Sequence, residues 1–403
     1  MAKLSLIVII IFTSLLVLTH NINKPFYGHH DWNGVFYSGI ARNYLRFGLI
    51  GTKLGQMTTP GSFYTHYPPL FTLILAAVFK IFGLKDLVAR LVPVILTIAG
   101  LLVFYKISRS RIVFALALTP MLRYFGQMPS QEPLIIFLTL LSLYFFQKKN
   151  LWGFYICVFL NGLSGWAGYF FYPWLFFLNR RWATKAIFIL IGTFCLHLIH
   201  IYVLTGSFGG GGIFDALTLR AGLFPLLNRV EPELAGQFTW VAYFIKEAHI
   251  LTVYYTLTLL TLAAISLILF RDKLTLILLA WGFSYPLIFS NVVFVHEYFN
   301  VFFWPFLALS LANLVKKFKL KPVFLFIICL AIFFERNKFY QALVVTNAFE
   351  PGYKLGMEIN QTTEQNNLVT VYNTKDFISS QSLFIDFYSD RQIEYIETNE
   401  PNH

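Results

Sequence analysis

The sequence predicts an all-α polytopic membrane protein with a small α/β unit at its C-terminal end. Of its 403 residues, 57% are hydrophobic and only 12% are charged, about half the charged fraction of a soluble domain. Apolar stretches long enough to cross a bilayer also recur along the chain. These observations exclude a soluble enzyme, a disordered chain and a disulfide-stapled secreted domain.

Eleven apolar stretches are predicted to be transmembrane helices, because about 20 apolar residues cross the hydrocarbon core. The first is followed by no small-residue cleavage pattern, so it is predicted to be a retained helix rather than a signal peptide. The predicted spans are 4–20, 87–105, 112–128, 133–147, 151–165, 167–178, 184–205, 248–270, 274–294, 298–315 and 322–335.

The basic residues decide the orientation of the chain, because they form short clusters between the spans. If the ambiguous stretch 67–83 lies at the interface or re-enters, every later cluster falls on the inner side, as the positive-inside rule favours. We therefore predict a multi-pass protein of the cell membrane with a cytoplasmic N-terminus and an external C-terminus. The same clustering explains the net charge of +12 without nucleic acid as a partner. The clusters are Lys106/Arg109/Arg111, Lys148/Lys149, Arg180/Arg181/Lys185, Arg271/Lys273 and Lys316/Lys317/Lys319/Lys321.

The predicted domains are a transmembrane domain, 1–336, and a small external domain, 337–403. In the small domain, 369–372 and 392–397 are predicted strands, and 379–388 is a predicted helix. Within the transmembrane domain, two external segments are long enough to carry chemistry. They are 21–86, with a predicted amphipathic interfacial helix over 32–47, and 206–247, with its glycine run.

Two acids stand at predicted external span ends. Asp31 precedes the amphipathic helix, where Asp is a favoured N-cap whatever the function, so capping and chemistry remain equally open. Glu132 precedes Pro133 at a helix start, where an acid also complements the helix dipole. The spans are otherwise nearly free of charge and the nucleotide and hydrolase motifs are absent, so the chemistry is predicted at the outer interface.

The order of five sequence features resembles the GT-C membrane glycosyltransferases of family 39, whose relatives include protein O-mannosyltransferases and the aminoarabinose transferase of lipid A. The resemblance covers about residues 1–180 and is weaker beyond. The features are HHDWNGVFYSGIARNYLRFG from His29, THYPPLFTLILAAVFKIFG from Thr65, DLVARL from Asp86, the dipeptide Glu132-Pro133, and the His296–Tyr298 element before a late span.

The resemblance implies a GT-C fold and an inverting transfer of a sugar from a polyprenyl-phosphate donor to an acceptor hydroxyl on the external face. Asp31 would be the catalytic base or the group that orients the acceptor, and Glu132 would lie at the same site. The chain departs from several relatives at Trp32, where they have a second acid. It also has Tyr67 where some relatives have a phosphate-contacting Lys, so that contact is not carried over.

The predicted partners are the lipid-linked donor, membrane lipids and an unidentified protein, lipid or glycan acceptor. A cation should neutralise the donor phosphate, and Arg90, Arg123 and His296 are the candidates. Residue spacing predicts no metal site, although a divalent ion that bridges Asp31, Glu132 and the phosphate is left open. The predicted substrate-binding residues are His30, Tyr67, Arg90, Arg123, His296, Glu297 and Tyr298.

Two other functions compete with a glycosyltransferase. A transporter or flippase of lipid-linked or small solutes would also be polytopic, but the charge-free spans and the absence of an internal sequence repeat count against it. In a non-catalytic membrane scaffold, the external acids would be helix caps and the C-terminal domain would bind a partner.

Overall fold

The structure, a computed structural model, describes residues 12–57, 61–221, 238–365 and 367–398. Residues 4–11 of the first predicted span lie outside this description, and 12–18 are helical. The α-helices that follow are Trp32–Gly51, Leu70–Phe82, Asp86–Ser108, Pro120–Phe125, Glu132–Gln147, Leu151–Gly162, Arg180–Thr205, Ile213–Arg220, Trp240–Tyr255, Leu257–Leu269, Lys273–Ile288, Ser290–Val295, Trp304–Phe318, Pro322–Glu335, Asn337–Val345, Glu350–Thr362 and Lys375–Ser389. Short 3₁₀ helices cover Arg111–Leu118, Trp166–Phe170, Tyr172–Phe177, Gly210–Gly212 and Glu297–Phe303, and the strands are Leu368–Asn373 and Gln392–Glu397.

Three of the described helices are long and apolar enough to cross a membrane: Asp86–Ser108, Arg180–Thr205 and Glu297–Phe318. The pair Trp240–Tyr255 and Leu257–Leu269 adds a fourth if it is counted as one span. Other apolar helices have 10–17 residues. The total of eleven spans therefore stays a prediction.

Several predicted spans are not single regular α-helices. The stretch 274–294 is divided at Phe289, and 298–315 begins as a 3₁₀ helix. The stretch 112–128 divides into Arg111–Leu118 and Pro120–Phe125, and Thr119 between them has an extended backbone. Proline disfavours the helical conformation at the residue before it, which accounts for this break. The stretch 167–178 is two short 3₁₀ helices, with a proline at the first turn of the second.

The prediction of one continuous helix over 248–270 was also wrong. The helix axis turns by 106° between Trp240–Tyr255 and Leu257–Leu269. Thr256 at the turn has a φ of 72°, which is costly for a β-branched residue. The exposed N-terminus of the second helix is capped by Glu335, whose carboxylate oxygens accept from Leu257 N at 2.6 Å and Thr258 N at 3.1 Å.

The helix Trp32–Gly51 agrees with the predicted helix over 32–47, because the backbone leaves the helical conformation at Gly48. Its polar face does not face water as predicted, since Asn33, Ser38 and Arg42 are buried. The apolar side packs on Leu70–Phe82 in a common hydrophobic cluster. On the polar side, the C-terminal part of the chain covers Arg42, while Asn33 contacts Met128 and Asn43 donates to Met57 O. This helix is therefore enclosed by protein for most of its length.

Residues 350–397, the C-terminal cap, contain the two predicted strands and the predicted helix. The strands are parallel, with Val371 opposite Tyr395, and Lys375–Ser389 connects them. Phe384 and Phe387 of that helix enter the same hydrophobic cluster as Trp32–Gly51. The helix Asn337–Val345 packs on Pro120–Phe125 instead. The domain boundary at 336/337 stays a prediction.

A partly buried ion pair joins the cap to Trp32–Gly51. Arg42 Nη1 lies 2.8 Å from Asp390 Oδ1 and also donates to Phe387 O at 2.8 Å, while Arg46 donates to the same carboxylate. Burial raises the pKa of Asp390, but the hydrogen bond from Arg46 and the charges of Arg42 and Arg46 outweigh it, so the pKa lies below its usual value.

We expect Asp390→Asn to lower the free energy of unfolding by about 1.5 kcal/mol, the low end for a charged hydrogen bond because Asp390 is partly exposed. The depressed pKa adds stability above the unfolded pKa of about 3.9, which is lost as the pH falls through the folded pKa. The unfolding temperature in detergent should therefore be lower for the variant than for wild type at pH 7, and this difference should be smaller at pH 3. Glu358→Gln, at an exposed acid of the helix Glu350–Thr362, is the matched control and should leave unfolding unchanged.

Candidate functional site

Residues 29–31, the HHD segment, precede the enclosed helix Trp32–Gly51. His30 has a φ of 57°, a strained value for a non-glycine residue. Asp31 occupies the N-cap position but makes no side-chain capping bond. Its Oδ2 instead accepts from the backbone N–H groups of Tyr27 at 3.1 Å and Gly28 at 2.7 Å. The capping interpretation of Asp31 is therefore wrong, and its carboxylate turns back towards the preceding loop.

Arg90 holds this carboxylate from the first turns of Asp86–Ser108. Its Nη2 donates to Asp31 Oδ1 at 2.9 Å and to Oδ2 at 3.0 Å, and both side chains are buried. Arg90 Nε donates to Lys24 O at 3.2 Å, and the guanidinium lies over the Phe26 ring. Arg90 therefore neither snorkels to water nor stands as a free phosphate ligand, because its charge is paired with Asp31.

Glu132 is buried at the start of Glu132–Gln147. Its Oε2 has no hydrogen-bond partner among the described residues, an arrangement that costs free energy unless a donor arrives. Glu132 lines one pocket with Tyr298, while Asp31 and Arg90 line another, and Met128 contributes to both. The structure thus places the two predicted acids at neighbouring pockets.

A second group of polar side chains forms around Glu297. Its carboxylate lies 2.5 Å from His29 Nε2 and 3.0 Å from His30 Nε2, and it accepts from the Tyr254 hydroxyl at 2.9 Å. The His30 ring also contacts Tyr298, with ring centroids 5.1 Å apart. Of this group, His30, Glu297 and Tyr298 were predicted from the sequence. His29 and Tyr254 were missed, although His29 stands beside His30 in the sequence.

His296 packs beside this group, with its ring centroid 5.7 Å from that of His30. Burial, followed by the influence of His30, lowers the pKa of His296 to about 3. A neutral imidazole does not balance a phosphate charge, which argues against His296 as the predicted cation at neutral pH. Its Nδ1 is buried and has no hydrogen-bond partner among the described residues.

Arg123 lies in a structural contact with the helix Asn337–Val345. Its guanidinium is 3.6 Å from the Tyr340 ring centroid and 4.7 Å from that of Phe333. Its Nη1 donates to Asn337 Oδ1 at 3.0 Å. These contacts attach the C-terminal helices to Pro120–Phe125, and they do not bring Arg123 to either acid.

Arg220, which sequence reasoning missed, is a cation without a carboxylate partner among the described residues. It ends the short helix Ile213–Arg220 and lies over the Tyr67 ring, with Nη1 3.3 Å from the Tyr67 hydroxyl and Nη2 3.4 Å from His66 Nδ1. No carboxylate among the described residues pairs with it. Its one sequence signal is its position in the external segment 206–247, which was predicted to carry chemistry.

The surroundings of Arg220 suit an anion. Burial, then the charges of Arg220 and His197, lower the pKa of His66 to about 4, so this imidazole is neutral and can accept from Arg220 at neutral pH. The Tyr67 hydroxyl also lies 3.3 Å from that of Tyr285. The Tyr64 ring packs against those of His66 and Tyr67, with ring centroids 5.5 Å and 6.2 Å apart.

The fold is shared with solved glycosyltransferase structures. The crystal structure of ArnT from Cupriavidus metallidurans bound to undecaprenyl phosphate has a TM-score of 0.63 and 12% identity, and the match covers 98% of this chain and 86% of that one. The apo structure of the same enzyme has a TM-score of 0.58 and 13% identity, over 99% of this chain and 87% of that one. The protein has the GT-C fold.

The predicted GT-C fold and polytopic membrane architecture are therefore confirmed. The likeness is one of structure, because no protein-family model and no curated protein sequence matches the chain. Within this fold the described residues include a buried acid paired with an arginine, a second buried acid, and an arginine without a described carboxylate partner.

Proposed function

We propose that this protein is an inverting glycosyltransferase that moves a sugar from a polyprenyl-phosphate donor to an acceptor hydroxyl at the external face of the cell membrane. The fold it shares with ArnT, one structure of which is bound to undecaprenyl phosphate, supports a lipid phosphate as the donor group. The donor's prenyl chain would stay in the bilayer while its headgroup enters the pockets. The transmembrane part, 1–336, and the external domain, 337–403, keep their predicted roles in this proposal.

The observation that carries the proposal is which arginines have a carboxylate partner. Arg90 is neutralised by Asp31, whereas the partly buried Arg220 has no described carboxylate partner. A guanidinium in this state matches the fork geometry of a phosphate, to which it can donate two hydrogen bonds. The Tyr67 hydroxyl, at the position of a Lys in some relatives, lies within reach of the same anion.

In this proposal Asp31 accepts a proton from the incoming hydroxyl. Its Oδ2 takes three donors, whereas the only donor to Oδ1 among the described residues is Arg90. A carboxylate oxygen can accept more than one hydrogen bond, so Oδ1 retains capacity for the acceptor hydroxyl. Arg90 and the backbone of the preceding loop fix its direction, and such positioning contributes much of the rate in transfers of this kind.

The reaction replaces one bond to the anomeric carbon with another. The acceptor oxygen forms a bond to that carbon as the bond to the phosphate oxygen breaks, which inverts the configuration. The hydroxyl proton passes to Asp31, and the electron pair of the broken bond remains on the polyprenyl phosphate, whose charge Arg220 balances. Glu132, with its unpartnered oxygen, would accept a hydrogen bond from a sugar hydroxyl.

The function is tested with purified protein in nanodiscs, a panel of radiolabelled polyprenyl-phosphate sugars and membrane extract as acceptor. We expect label to move from one donor to the extract, with an equal amount of free polyprenyl phosphate released. Movement of intact donor between leaflets of proteoliposomes, without release of polyprenyl phosphate from any donor, would support the transporter instead.

A further inference from the structure

We propose that His29, His30 and Glu297 form a zinc site. Each of the three residues offers one ligand atom, and these atoms all lie within 4.8 Å of one another. Two imidazole nitrogens and a carboxylate oxygen are ligands that Zn²⁺ prefers, at about 2.0–2.2 Å. Small side-chain rotations would bring each of the three atoms to this distance from one ion, because both imidazoles already face the same carboxylate.

The backbone is arranged so that two consecutive imidazoles converge on one point. Neighbouring side chains in a helix or strand diverge, but the φ of 57° at His30 turns the chain and brings both Nε2 atoms to Glu297. Such a conformation persists only where the surrounding structure compensates its cost. A metal ion bonded to both imidazoles would supply that compensation.

The ligand set leaves room for a fourth group. The side chains of His29, His30 and Glu297 are 32%, 16% and 15% exposed, so the site is neither sealed nor on the open surface. Three protein ligands with one open position are typical of zinc sites that bind water or substrate. The Tyr254 hydroxyl, 2.9 Å from Glu297 Oε1, holds the carboxylate from the other side, as outer-shell partners commonly do for metal ligands.

The choice of Zn²⁺ over the hard cations follows from the ligands. Mg²⁺ and Ca²⁺ select sites built from oxygen, whereas imidazole favours zinc and its transition-metal neighbours. The site also adjoins the proposed base, because Asp31 follows His30 in the chain. A bound ion would therefore fix the HHD segment at both ends, with Zn²⁺ on its histidines and Arg90 on its aspartate.

The inference does not depend on the proposed function, since metal binding is measured without substrate. Metal-stripped protein in detergent is incubated with Zn²⁺ and desalted, and its zinc content is measured by mass spectrometry. We expect about one Zn²⁺ per chain in wild type, and a loss of about 10-fold or more in His29→Ala, His30→Ala and Glu297→Gln. His249→Ala, at an exposed histidine of Trp240–Tyr255, is the control and should retain the metal.

A second readout uses the wild-type protein alone and so does not require the variants to fold. Added Co²⁺ should produce the visible absorption bands of a four-coordinate ion, and Zn²⁺ should displace them and raise the thermal unfolding temperature. Wild-type protein that retains no zinc above the level of His30→Ala, and gives no cobalt bands, would overturn the proposal. Zinc that is retained equally by all three ligand variants would also overturn it.

Discussion

Asp31→Asn is expected to reduce sugar transfer by about 10²–10⁴-fold, the contribution of general-base assistance. Asparagine has nearly the same shape, but its amide cannot take the proton of the acceptor hydroxyl. The variant also leaves Arg90, a buried cation, without its counter-charge. The rate is measured with saturating donor and acceptor, and the unfolding temperature of each protein is recorded beside it.

The control for Asp31→Asn is Asp376→Asn, which removes an exposed acid in the first turn of the cap helix Lys375–Ser389. It should transfer sugar at the wild-type rate.

Gly28→Ala gives a gentler test, because a Cβ at Gly28 would lie 3.0 Å from Asp31 Oδ2 and displace the carboxylate. Full activity in both Asp31→Asn and Gly28→Ala would show that the carboxylate is not at the reacting centre.

Arg220→Ala is the second change for which we expect a large effect. The loss of two charged hydrogen bonds to the donor phosphate, each worth about 1.5–3 kcal/mol, should weaken donor binding by about 100-fold or more. Arg220→Lys should retain more donor affinity than Arg220→Ala but less than wild type, because an ammonium lacks the two-pronged geometry of guanidinium. Binding is measured with fluorescent polyprenyl phosphate and protein in nanodiscs, and KM for the donor should rise in parallel.

Arg271→Ala is the matched control for Arg220, since Arg271 is exposed between Leu257–Leu269 and Lys273–Ile288. It should bind the lipid phosphate as wild type does. The same series tests Arg123, one of the cations predicted from the sequence, because Arg123→Ala should loosen the contact with Tyr340 and lower thermal stability without a loss of donor affinity. Equal affinity of wild type and Arg220→Ala would place the phosphate elsewhere.

The architecture was predictable because it depends on composition and on local pattern. Apolar stretches give membrane helices, the alternating segments of the cap give strands, and the ordered acids indicate the GT-C fold. The interruptions within the predicted spans were less predictable. Pro120 is a local signal that could have divided the span 112–128, but the 106° turn at Thr256 depends on a distant cap, Glu335, which no local pattern reveals.

The candidate site was predictable only in part, because residues that are distant in the sequence form its contacts. Asp31 and Arg90 were each found as unusual charges near span ends, and the structure shows that they partner each other. Their pairing removes Arg90 from the free cations, and only tertiary contacts could reveal that. Arg220 was missed because a single arginine in an external segment carries no signal until its partial burial and its lack of a described acid partner are known.

The measurement that tests the account most directly is transfer from the active donor by wild type, Asp31→Asn and Arg220→Ala, with donor binding measured on the same preparations. The account predicts that Asp31→Asn binds the donor but does not transfer, and that Arg220→Ala loses binding and with it transfer at low donor concentration. It is contradicted if folded wild-type protein releases no polyprenyl phosphate from any donor, or if both variants bind and transfer as wild type does.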